Sequence, residues 1–246
     1  MEITTLRVKI PAGGATMGGY LARPADDEPR PAVLVFMEIF GINSHIRDVT
    51  ERVAREGYVA LAPDYFHRTG PGVEYGYDDE GMAGGMKLLN QLRADEMIAD
   101  VEAAIAFLRA RGDVAGDRIG AMGFCIGGHM TYLTACETDV RAAASFYGGG
   151  IAGPQGLGGG PSTVSRSGKI RGRILCLFGE KDNLIPHSQV EAIRAALRAG
   201  KVSHDVVVYP GADHGFFCDQ RATWQKEAAA DAWARVRALF SEELSA

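Results

Sequence analysis

The chain has 246 residues, 46% hydrophobic and 23% charged, which is enough to bury one sizeable core, and a single domain over residues 1–246 is the expectation. Its formal net charge of -5 lies in no block and its 26 Lys and Arg are dispersed, which argues against nucleic acid as a partner. No stretch reaches the apolar length of a bilayer span, "MEITTLRVKI" lacks a leader pattern, and four cysteines without a C-x-x-C pair make neither a disulfide framework nor a zinc site. A soluble, cytoplasmic chain with free thiols and no membrane partner is predicted.

In chain order, "TLRVKI" and "GGYLARP" read as an opening antiparallel pair, and Pro31 to Met37 as a strand buried on both faces, because its apolar run is unbroken. Asn43 and Ser44 offer caps for a helix running through Arg55, Gly57 stops it, and "YVALAPD" is the next strand. From Asp95, Ile98, Val101, Ile105 and Leu108 share one helical face that leads into the strand "DRIGAMGFC". Strands follow at "RAAASFYG", "RILCLFG" and "HDVVVYP", with helices at "HSQVEAIRAALRAG" and from about Thr223 to Phe240. The alternation predicts a mostly parallel central sheet with helices on both faces. Two Gly-rich insertions without periodicity, at about 67–85 and 148–170, each leave the carboxyl end of a strand, the edge where ligands of open α/β sheets bind.

Chemistry concentrates at "GFCIGG". The short strand before it and the helix after it suit a nucleophile elbow at Cys125, and Gly123, Gly127 and Gly128 leave room for a strained strand-to-helix turn. A helix amino terminus favours thiolate over thiol, and sulfur ionises far more readily than a hydroxyl. Two partners follow, Asp182 after "RILCLFG" and His214 after "HDVVVYP", both just past the carboxyl ends of late strands. The order nucleophile, acid, histidine is that of the α/β-hydrolase fold, with Asp182 orienting His214 as proton acceptor. Cys136, Cys176 and Cys218 read as buried small residues, and the other five histidines as turn or surface residues.

"EIFGIN", "GFCIGG", Asp182 and His214 together resemble the dienelactone hydrolase family (carboxymethylenebutenolidases), with elements matching over essentially the whole chain. The resemblance implies a Cys125, Asp182, His214 triad. It implies Glu38 as the proton partner of the resting thiol, and the backbone N–H groups of Ile39 and Ile126 as the oxyanion hole. It also implies Arg68 as a contact for a substrate carboxylate. The family's second carboxylate-binding arginine, four residues after the histidine, is replaced here by Cys218, and Arg221 lies nearby on a different phase of the chain.

The function so implied is hydrolysis of a lactone or activated ester, the small-molecule partner, through a thioester acyl-enzyme, with no metal or organic cofactor. The alternative is a thiol-based redox sensor or small-molecule binding protein on the same scaffold, since an elbow cysteine beside a glutamate is also similar to the DJ-1 and PfpI proteins. No stretch announces an oligomeric interface.

Overall fold

The computed structural model describes residues 1–26 and 28–245. Eight strands form one sheet in the order β1-β2-β4-β3-β5-β6-β7-β8. The strands are β1 (Ile3–Ala12), β2 (Ala15–Pro24), β3 (Arg30–Phe36), β4 (Val59–Pro63), β5 (Val114–Phe124), β6 (Ala142–Phe146), β7 (Arg173–Gly179) and β8 (His204–Tyr209). β1 and β2 pair antiparallel, as does β2 with β4, and every pairing from β4 to β8 is parallel. The unbroken apolar runs mark the centre of the sheet: every residue of β4 and β6 is buried, and Val33, Leu34 and Val35 of β3 are inaccessible. Strands covered on both faces have no polar side to show, so they carry no alternation.

The helices are α1 (Ser44–Arg55), α2 (Asp79–Leu89), α3 (Ala94–Arg109), α4 (Ile126–Glu137), α5 (His187–Ala199) and α6 (Lys226–Leu244). Asn43 caps α1 by accepting from the Ile46 N–H at 3.2 Å, and Ile46, Val49 and Val53 turn its apolar face to the sheet. The step from β3 to β4 runs one way along the sheet, whereas the steps from β4 through β8 run the other. Right-handed crossovers travelling in opposite directions lie on opposite faces, so α1 is separated from α3 and α4. The last helix returns to the α1 face, where Arg237 bonds Glu56 at the end of α1. The direction reverses at β3, between β4 and β5, and this is the place where an open α/β sheet leaves a crevice beyond its strand ends.

The two Gly-rich segments differ from the aperiodic insertions expected. Asp79–Leu89 is an α-helix because Asp78 caps it, accepting from Gly81 N–H at 2.8 Å, and Asp79 and Glu80 favour its amino end. The later segment ends in a 3-10 helix, Thr163–Lys169, fastened to α4. His129 bonds the Gly149 carbonyl at 2.8 Å and the Thr163 hydroxyl at 2.7 Å, and Tyr132 meets Ser167 at 2.5 Å. Burial pulls the His129 pKa down to about 4, so the ring anchors this loop as a neutral group.

Candidate active site

β5 ends at Phe124 and α4 starts at Ile126, leaving Cys125 alone to make the turn, with φ 57° and ψ -120°. A side chain in this region costs about 1–3 kcal/mol and persists only where its surroundings enforce it. They do so by close approach. A Cβ on Gly127 would lie 2.4 Å from the Met37 carbonyl oxygen, and one on Gly128 would lie 2.4 Å from that of Phe146. The Cys125 N–H donates to the Phe146 carbonyl at 3.1 Å, pinning the turn to β6. Cys125 is partly exposed, whereas the other three cysteines are buried, as their reading as small core residues requires.

Asp182 lies three residues beyond β7 and is 4% exposed. One oxygen accepts from the Leu184 N–H at 2.9 Å, and the other meets His214 Nδ1 at 2.8 Å. With Nδ1 occupied, Nε2 is the atom left for chemistry. Buried Nε2 has no well-aligned hydrogen bond, yet the Cys125 sulfur lies near enough to act on the ring by charge and by a loose contact. Burial pulls the His214 pKa down, but Cys125 and Asp182 override it and push it up to about 10. The imidazole is therefore held as an imidazolium beside sulfur.

Glu38 follows β3, whose last pair, Phe36 with Gly123, brings the ends of β3 and β5 side by side. Its carboxylate is fully buried and accepts two bonds, from the Arg221 guanidinium at 3.0 Å and from the Tyr77 hydroxyl at 2.9 Å. The partner it takes is thus Arg221 rather than the thiol expected from sequence. Removing one member of such a buried pair costs about 3–5 kcal/mol, because the other charge is stranded. Arg221 reaches this position because the chain after His214 winds through tight turns, with Cys218 N–H bonded to the Gly215 carbonyl and Arg221 N–H to that of Cys218. Gly215 is required there: its φ is 82°, and a Cβ would come within 2.7 Å of the Arg221 guanidinium. That guanidinium lies over the rings of Phe40 and Tyr77, 5.9 and 5.4 Å from their centroids. Cys218 is fully buried beside Tyr77.

Above these groups opens a cavity of about 500 Å³, with Cys125, His214 and Arg221 in its wall. Ile39 and Ile126, whose N–H groups were expected to face an oxyanion, both line it. Arg68 is not brought to it. Its guanidinium is forked onto Asp100 of α3, next to His67, and Asp100 is 3% exposed. Sequence reasoning missed Tyr77, the role of Arg221, and the wall supplied by Met82, Met86 and Leu89 of α2. The last had a signal: spacings of four and three after the Asp78 cap place all three on one helical face.

A model of the dienelactone hydrolase family matches residues 17–244. A Synechocystis protein named "Putative carboxymethylenebutenolidase" is 47% identical over 245 residues, covering 99% of each chain. An Escherichia coli K12 protein of the same name is 35% identical over 236 residues, covering 95% of this chain and 85% of its own. A Klebsiella pneumoniae crystal structure, described as a "Putative Dienelactone Hydrolase", superposes with a TM-score of 0.88 at 35% identity, covering 98% of this chain and all of that one.

Proposed function

Because this chain belongs to the dienelactone hydrolase family, a group of α/β-hydrolase fold, we propose that it cleaves a lactone or activated carboxylic ester with Cys125 as nucleophile. The observation that carries this reading is His214, held by Asp182 and kept protonated beside a sulfur that sits on a strained turn in the cavity wall. In the proposed reaction the thiolate attacks the carbonyl carbon, a C–S bond forms, and the negative charge moves to the carbonyl oxygen. The N–H groups of Ile39 and Ile126 hold that oxyanion. As it collapses, the C–O bond to the leaving group breaks and the His214 imidazolium gives its proton to the departing oxygen. His214, now neutral, takes a proton from water, which attacks the thioester. Collapse of the second oxyanion releases the acid and returns thiolate and imidazolium. Thiolate attack suits leaving groups already stable as anions, such as the enolate of an enol lactone.

Glu38 has a supporting part in this scheme. Its carboxylate secures Arg221 in the wall, and the Tyr77 hydroxyl behind it, one residue before Ile39. Replacing Cys125 by Ala tests the proposal. Turnover of a 4-nitrophenyl ester should fall by at least about a thousandfold with the circular dichroism spectrum unchanged. Retained turnover would remove Cys125 from the nucleophile's role. Oxidation of Cys125 to sulfinate in a protein without turnover would fit a thiol sensor instead.

A further inference from the structure

The cavity has an apolar mouth and, among the described residues, no unpaired cation in its wall. Six large hydrophobic side chains are exposed among the described residues, and three of them, Met82, Met86 and Leu184, line this one cavity. A fourth, Trp224, directly follows the lining residue Thr223. Apolar side chains that face water together at a cleft mark a surface that a ligand covers, and thioethers on unbranched stems adapt to varied shapes. At about 500 Å³ the space suits a body considerably larger than an acetyl group.

Charge points the same way. Among the described residues Arg221 is the only Lys or Arg in the wall, and it is already engaged by fully buried Glu38. Turning it toward a substrate carboxylate would leave Glu38 in the interior with only the Tyr77 hydroxyl. Asp213, also in the wall, adds a second carboxylate that would repel an anion. Arg68, the other candidate cation, is spent on Asp100 outside the wall.

We propose that the substrate is a neutral ester or lactone with an apolar body, seated on Met82, Met86 and Leu184, and not a carboxylate-bearing one. This rests on reading the cavity as the ester-cleaving site. The test compares 4-nitrophenyl pentanoate with mono-4-nitrophenyl glutarate, which share a leaving group and acyl length and differ by a terminal carboxylate. After normalisation to their hydroxide-catalysed rates, kcat/KM should favour the pentanoate by about tenfold or more. Met82→Lys and Leu184→Lys alter exposed side chains, so the fold should tolerate them, and each should shift the ratio toward the glutarate. Equal or reversed preference in the wild type would overturn the proposal. Binding to Cys125→Ala, followed by calorimetry, reads the same preference without turnover. Tighter binding of pentanoate there, with a wild type that cleaves neither ester, would sink the hydrolase reading and leave only the cavity's preference for a neutral, apolar ligand. Equal binding of both esters, or of neither, would overturn it.

Discussion

His214 carries two opposed influences, burial that disfavours its charge and the Cys125 and Asp182 charges that favour it, and the second wins. The balance depends on sulfur. Cys125→Ala should therefore bring the His214 titration down from about 10 toward the ordinary 6.5, with Asp182 alone holding it up, which imidazole NMR of the two proteins would read. An unmoved titration would mean that the thiolate does not act on the ring. Cys125, Asp182 and His214 were legible from sequence as neighbours at one edge of the sheet, because each lies within a few residues of a strand end, where chain position translates directly into spatial position. Arg221 was not. Seven residues past His214 it is near in space only because successive turns fold the chain back over Gly215. The Arg68 reading failed to reach the cavity for a related reason, since a loop cation goes to the best-buried carboxylate in reach, and that is Asp100.

At the scale of elements, α2 decides the shape of the site. Its glycines made it read as a loop, since each costs about 1 kcal/mol of helix propensity relative to Ala. They are used for approach: a Cβ at Gly85 would lie 2.5 Å from the Ile39 carbonyl oxygen. Only a bare backbone there lets the helix press on the segment proposed to hold the oxyanion. Gly85→Ala should accordingly lower Tm despite the better helix former, and lower kcat more than it raises KM, because the residue displaced, Ile39, also carries the N–H proposed to act on the transition state. A variant more stable than wild type, with unchanged kcat, would show that the approach is not needed. The cap at Asp78 and the face formed by Met82, Met86 and Leu89 were both present in the sequence, but the glycines between them masked the period.

For the whole molecule, alternation of strands and helices was enough to give a parallel sheet, but strand order was not legible, because it depends on which way each crossover travels. The reversal at β3 brings Glu38 and Cys125 to neighbouring strand ends, while Asp182 and His214 arrive from β7 and β8 along the same edge. A site assembled this way ties function to global stability. A histidine whose folded pKa, about 10, exceeds its ordinary 6.5 contributes stability that is complete below 6.5 and lost as pH rises through 10. Thermal melts should show wild-type Tm falling over that window more steeply than that of His214→Gln. Burial pushes the thiols of Cys218 and Cys136 up to about 11 and about 12, which adds a further alkaline loss common to both proteins. Parallel melting curves would contradict the charged pair. The central claim, that sulfur at Cys125 carries the acyl group, is tested most directly by rapid acid quench of wild type with 4-nitrophenyl pentanoate, followed by peptide mass spectrometry. A pentanoyl thioester on the Cys125 peptide during the first turnovers, absent from Cys125→Ala, is the predicted result; full-rate release of 4-nitrophenolate with Cys125 unmodified at every quench time would contradict it.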